Sequence, residues 1–423
     1  MSSVIVAAPA IWGELAPLLR IGAHLVGRGH EVTVITGSRF ADQVQSTGAA
    51  FLPLVGAADY DDRALNSDYP VRSTLPPGPP QLDFDLRHVF VDAMPVQHRA
   101  LQTLLAQRPD SILIANSGFT GPWAVALGAP GRKPARWIAI GCNPVTLGTP
   151  QATIFGPVPG PDGQVDLIAT EQQNDVIRAA LEPSRQHLQD LIEAMGGSGT
   201  ATAVLDGAVT MPEEFLALTV QGLEFGRTDL PPNVRFAGIM PSEIRSQPLD
   251  ARVQAAVDDP RPLVVVTQGT VANDDLGRLV VPTLEGLRNA DVVVVAALGK
   301  QADLADVPDN AVVVDWVPFD ALLAHAAVFV TNGGFGGTQR ALASGVPVVV
   351  SGGTEDKALV AARVAAVGVG VDLGFVDASS AAIRDAVARV LGSPDFRTRT
   401  AALAIEYQTL DPLRIIEDLL ERT

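Results

Sequence analysis

Short, almost wholly apolar runs alternate with longer amphipathic stretches along most of the chain. In the first half, residues 4–8, 31–36 and 111–115 read as strands, and 15–27, 41–48 and 99–108 as helices. A second alternation brings apolar runs at 263–267, 292–297, 312–314, 328–331 and 346–350. Runs without an in–out alternation mark strands covered by helices on both faces, which is the habit of parallel sheets. Strand–helix alternation at this spacing predicts βαβ units, hence an α/β chain built from doubly wound, Rossmann-like domains. Two stretches rich in Pro and Gly, 67–81 and 143–164, lack periodicity and are expected to be loops that line a binding site. The polar, proline-bearing passage 226–250 reads as a linker.

Length and composition set the outer limits. A chain of 423 residues exceeds one core. The expected division is an N-terminal domain (1–225), a linker (226–258), a second domain (259–400) and a closing helical segment (401–423). Apolar residues make up 47% but aromatics only 5%, so Val, Ala and Leu must build the cores. A net charge of -17 with no Lys/Arg run argues against nucleic acid or an anionic membrane as partner. The single cysteine, Cys142, rules out an intramolecular disulfide and fits a reducing, cytoplasmic setting. No apolar run approaches the roughly 18 residues of a membrane span, so no stable membrane insertion is expected.

The most informative stretch lies at 316–357. An apolar strand (328–331) leads into a doubled glycine turn, Gly333-Gly334 and Gly336-Gly337, with a helix expected to open near Thr338. A second apolar strand follows, and then the acidic pair Glu355-Asp356. Glycines allow close backbone approach, and a helix N-terminus offers N–H groups and positive dipole to an anion. That layout suits a diphosphate at one end and sugar hydroxyls at the other. It suggests a nucleotide-sugar site.

Two Rossmann-like halves with the anion-cradling loop in the second resemble the inverting GT-B glycosyltransferases, whose two doubly wound domains face a central cleft. The likeness is to UDP-glycosyltransferase-like (family 1) bacterial enzymes that glycosylate natural products and lipids, and it covers nearly the whole chain. It rests on 8–40, 223–238, 264–274, 411–421 and, most specifically, 330–357.

The resemblance implies a role for each of several positions. Trp316 matches the aromatic that stacks on the donor base, although a buried Trp at a strand end would look the same. Gly269 and Thr270 would offer donors to the phosphates, or form a plain turn with a helix cap. Asn332 stands where relatives carry a histidine on the pyrophosphate, and its amide can still donate, without charge. Gly334, Phe335, Gly336, Gly337 and Thr338 would continue the cradle. Asp356, beside Glu355, matches the acidic residue that accepts from sugar hydroxyls. Lys357 and Arg340 replace a glutamine and a glutamate of plant relatives, which leaves the donor open between UDP- and dTDP-sugars.

The larger departure is in the first half. Relatives read Gly-His after the first strand, and that histidine takes the acceptor's proton. This chain has Gly13-Glu14, and the acidic partner of the histidine falls at Asn116. An aspartate beside Glu14 would repel it, whereas the Asn116 side chain can donate a hydrogen bond to it. Glu14 is therefore a candidate general base, with burial moving its pKa up from about 4.3. It is equally a group that binds a cationic acceptor, a bridge to the acceptor through water, or a carboxylate stabilising its helix's start. Trp12, Gly13 and Phe119 are the candidate acceptor-side residues.

Other patterns are set aside. Asp83-Phe84-Asp85 resembles a metal-holding D-x-D, but it follows a proline-rich loop and reads as solvated. The six histidines show no metal-ligand spacing, and no G-x-G-x-x-G follows the first strand, so neither a metal nor a nicotinamide cofactor is expected. The function expected is metal-independent, inverting transfer of a sugar from a nucleoside diphosphate sugar to a small, mostly apolar acceptor. An auxiliary nucleotide-sugar-binding protein that has lost turnover and a GT-B-type sugar-nucleotide epimerase are the alternatives. Oligomeric state has no signature here.

Overall fold

In the first half of the chain, seven strands form one parallel sheet: β1 (Ser3–Ala7), β2 (Glu31–Thr36), β3 (Ala50–Pro53), β4 (Ile112–Asn116), β5 (Arg136–Gly141), β6 (Glu214–Ala217) and β7 (Val234–Phe236). Their order is β3-β2-β1-β4-β5-β6-β7. The computed structural model describes residues 2–76, 78–241, 248–269, 275–302, 304–352, 356–374 and 377–421. A second parallel sheet holds β8 (Leu263–Thr267), β9 (Val293–Ala297), β10 (Ala311–Val314), β11 (Val328–Thr331), β12 (Val348–Val350) and β13 (Gly370–Asp372), ordered β10-β9-β8-β11-β12-β13. Both orders run outward in opposite directions from a central pair, β1/β4 and β8/β11. In doubly wound sheets that reversal opens a crevice at the carboxyl ends of the central strands, where ligands bind.

Each sheet is buried by helices, as its Val-rich strands require. Helix Trp12–Gly27 turns Leu15, Leu18 and Leu25 into the first core, spaced for one helical face, against Val4, Val6 and Val32. Helix Pro412–Glu421 adds Ile416, Leu419 and Leu420 to that core, and its Glu417 pairs with His24 (2.8 Å) and Arg28 (2.7 Å). In the second core, Val280, Leu284 and Leu287 from helix Val280–Leu287 pack with Val264, Val266, Val294 and Ile383.

The chain divides into two compact units, Met1–Leu218 with Arg227–Met240 and Asp411–Thr423, and Thr219–Gly226 with Pro241–Leu410. The passage expected as a linker thus supplies a strand, β7, which pairs with β6 over Phe215↔Val234 to Ala217↔Phe236. The closing segment is also two helices rather than one. Helix Pro394–Gln408 ends in the second unit, and Asp411 caps the next one by accepting from the Leu413 (3.1 Å) and Arg414 (3.2 Å) amides.

The proline-rich stretch 67–81 is not the plain loop expected. It carries part of Leu65–Asp68, a turn at Arg72–Thr74 and the start of helix Pro79–Asp85, elements too short to show a period. Asp83-Phe84-Asp85 accordingly sits in a helix and is not solvated. Asp83, only 5% exposed, accepts from the Ser184 amide (2.8 Å) and Arg87 Nε (2.9 Å), while Asp85 holds Arg72 through two contacts of 2.7 and 2.9 Å.

Candidate active site

At the first switch point, β1 runs into helix Trp12–Gly27, which starts three residues earlier than the periodicity suggests and places Glu14 in its first turn. Glu14 is 8% exposed. Asn116, the last residue of β4, donates its Nδ2 to Glu14 Oε2. Its Oδ1 meanwhile accepts the Gly118 amide at 2.7 Å, which fixes which end of the Asn116 amide faces Glu14. Asn143, two residues past β5, donates its Nδ2 to Glu14 Oε1. Parallel pairing of β1 with β4 and of β4 with β5 brings these three positions together.

Uncharged groups lie nearby. Cys142 Sγ lies 3.7 Å from the Glu14 carbonyl oxygen. Burial, then the Glu14 carboxylate, push its thiol well above the usual range, with Asn116 acting against them. The same two causes raise the Tyr60 phenol, whose buried hydroxyl finds no hydrogen-bond partner. Both groups remain protonated at neutral pH. Trp12 is 39% exposed, its ring stacked on Phe40 at 5.9 Å, and its amide is capped by Asp62 Oδ2 at 2.8 Å. Arg39 in turn holds Asp61 (3.1 Å) and Asp62. Gly13 is exposed, with nothing near its missing Cβ. Phe119, expected on the acceptor side, is fully buried, because the turn after β4 folds it inward.

The second switch point lies at the carboxyl ends of β8 and β11, aligned by Thr331↔Thr267, with β12 alongside through Thr331↔Val350. Asn332 donates Nδ2 to the Gln268 carbonyl oxygen (2.5 Å) and accepts the Gly334 amide on Oδ1 (3.3 Å). It therefore fastens one turn to the next. Gly269 (φ +79°) and Gly333 (φ +89°) take left-handed backbone, and a Cβ at Gly333 would meet Val350 Cγ1 at 2.8 Å. Gly336 differs: it is exposed, and a Cβ there would meet nothing within 4 Å.

The helix after this turn begins at Phe335, with Gly334 as its N-cap, rather than near Thr338. Phe335, Gly336 and Gly337 are thus first-turn positions whose amides have no acceptor inside the helix. Thr338 leaves the expected cradle, since its amide already binds the Gly334 carbonyl (3.0 Å) and its side chain is fully buried. Phe335 also buries its ring and can offer only backbone. Asp356 is the N-cap of helix Lys357–Val367, and Lys357 is buried with its Cβ 3.4 Å from where a Gly333 Cβ would be. Trp316 follows β10 and is 55% exposed, not a core residue. Arg340 is engaged by Asp320 at 3.1 Å. Thr270 and Glu355 lie outside the described residues.

Sequence comparison decides what kind of protein this geometry belongs to. UDP-glycosyltransferase 2 of Phaeomoniella chlamydospora is 36% identical over 435 residues, covering 99% of this chain and 95% of its own. UDP-glucosyltransferase B1 of Starmerella bombicola is 34% identical, covering 99% and 97%. The chain belongs to the UDP-glycosyltransferase family. It is a glycosyltransferase that takes its sugar from a nucleoside diphosphate sugar. Residues 282–421 match the family model described as erythromycin biosynthesis protein CIII-like, C-terminal domain. The glycotransferase of kitacinnamycin, a crystal structure 23% identical in sequence, superposes with a TM-score of 0.72 over 100% of this chain and 98% of that one. The two parallel α/β units are those of the GT-B fold.

Within this glycosyltransferase, sequence reading missed Asn143, Gln268 and Tyr60. A lone amide or phenol has no spacing that marks it. The available signal was position, since Asn143 and Gln268 each follow closely on the end of an apolar strand beside a switch point. Among the described residues, no helix is long and apolar enough to cross a membrane.

Proposed function

We propose that this glycosyltransferase transfers its sugar with inversion, and without a metal, to a small and mostly apolar acceptor. The reading rests on the first turn of helix Phe335–Ala343, where Gly336 and Gly337 bring no side chain of their own and Gly336 is exposed. Those amides would take the β-phosphate, and the helix dipole would stabilise the charge that develops on the departing diphosphate. Exposed Trp316 would stack on the base, and Gly269 would let the backbone approach. Asp356 and Glu355 would accept from sugar hydroxyls, with Lys357 in the wall beside them.

In the first unit, Glu14 would take the proton of the acceptor hydroxyl as that oxygen attacks the anomeric carbon and the carbon–oxygen bond to the diphosphate breaks. Asn116 would hold Glu14 in place. Trp12 and Gly13 give exposed surface at the same mouth. The same unit has a cavity of about 510 Å³ lined by Val71, Leu75, Pro79, Pro80, Phe84 and Ala180 together with the ionisable Asp83, Arg87 and His88.

The test is incubation with UDP- or dTDP-glucose and a panel of apolar alcohols and phenols in excess EDTA. The proposal requires a product whose anomeric coupling, read by proton NMR, is opposite to the donor's, at a rate EDTA leaves unchanged. Retention of configuration or EDTA-abolished transfer would overturn it.

A further inference from the structure

The carboxylate of Glu14 is gripped on both oxygens, and only one of the two grips, Asn116, has a counterpart in the histidine-based arrangement the family resemblance implies. Asn116 donates to Oε2 from the end of β4, and Asn143 donates to Oε1 from the loop after β5. We propose that Asn143 is a positioning residue for the reaction, the second jaw of a two-amide clamp that holds Glu14 ionised and immobile.

This rests on the reading of Glu14 as the base. An ionised carboxylate is acceptor-only, with about four lone-pair sites. Each amide takes one of them, on a different oxygen. Neutral donors suit that task, because Glu14 can become protonated without parting from a cation. They also favour the charged form against burial, which would otherwise neutralise a carboxyl that is 8% exposed. Among the described residues, the Tyr60 phenol and the Cys142 thiol, both protonated near neutrality, do not supply this support, and Asp62 caps Trp12 while held by Arg39. The clamp would keep the base populated, at the expense of some basicity.

The test reads Glu14 itself, on the full chain and without ligand. Protein labelled with carboxyl-¹³C glutamate is titrated by NMR, with Glu14→Gln identifying the Glu14 resonance. Asn143→Ala is expected to raise the Glu14 midpoint by about one pH unit, tenfold in proton affinity. The isosteric Asn143→Asp, which sets a second carboxylate beside it, is expected to raise it further. The acidic limb of kcat/KM, measured with UDP-glucose and a phenolic acceptor, should move with the midpoint. Unchanged midpoints in folded variants would overturn the clamp, and Asn143→Asp decides the matter should Asn143→Ala fail to fold. A shifted midpoint together with full turnover by Glu14→Gln would keep the clamp and remove Glu14 as base. Lost turnover in Glu14→Gln with unmoved midpoints would do the reverse.

Discussion

Glu224 and Arg363 form an ion pair in the second unit with side chains 0% and 1% exposed, joined at 2.7 and 3.0 Å. Arg363 also donates to the Leu359 carbonyl oxygen (3.0 Å) and lies over the Phe225 ring at 5.0 Å. The pair therefore pins the segment Thr219–Gly226, including Phe225 in left-handed backbone (φ 62°), into that unit. Breaking a buried pair strands a charge, so Arg363→Met should cost about 3–5 kcal/mol, and adding Glu224→Gln should recover much of it. Calorimetric scans of the single and double variants check this. A double variant as unstable as the single one would contradict it.

Glu14→Gln keeps the shape and one of the two amide hydrogen bonds but removes the base. Turnover should fall by about 10²–10⁴, while the Kd for UDP, measured by calorimetric titration, stays within about twofold. A rate near wild type would take Glu14 out of the mechanism.

Trp316 is 55% exposed, so its replacement should not disturb the core. Stacking of a base on an aromatic ring is worth about 1–3 kcal/mol. Trp316→Ala should accordingly weaken UDP binding by roughly 5- to 150-fold with an unaltered Tm. Equal affinity for UDP in variant and wild type would mean the ring serves something else.

Burial lowers the His98 pKa below its ordinary 6.5. A group whose folded pKa is depressed binds protons more tightly when unfolded, so its contribution to stability is full above 6.5 and is lost as pH falls through the folded value. Urea midpoints should drop between pH 7.5 and 5.5, and less steeply in His98→Gln. His30, lowered mainly by burial, acts in the same direction and leaves part of the slope. Identical slopes in wild type and variant would show that His98 is not a source of the acid sensitivity.

Much of the architecture was readable because Val-rich runs buried on both faces have one common use. Residues 328–331 form β11 with the bounds read from the chain. The glycine stretch resembles a loop, so the pattern puts the start of the helix at Phe335 too late, although first-turn residues need no side chain to hold them. The short helices at 65–85 were missed for want of a full period. Asn143 became visible only when the register of β1, β4 and β5 carried it to Glu14. Phe119 shows the converse, a residue adjacent in sequence to the site but turned inward by the bend after β4.

On the proposed function, first-turn amides of helix Phe335–Ala343 hold the donor's diphosphate. A crystal structure with bound UDP tests it most directly. β-Phosphate oxygens are expected within about 3.2 Å of the amide nitrogens at Gly336 or Gly337, a hydrogen-bonding distance. UDP seated with its phosphates away from that helix N-terminus would contradict it.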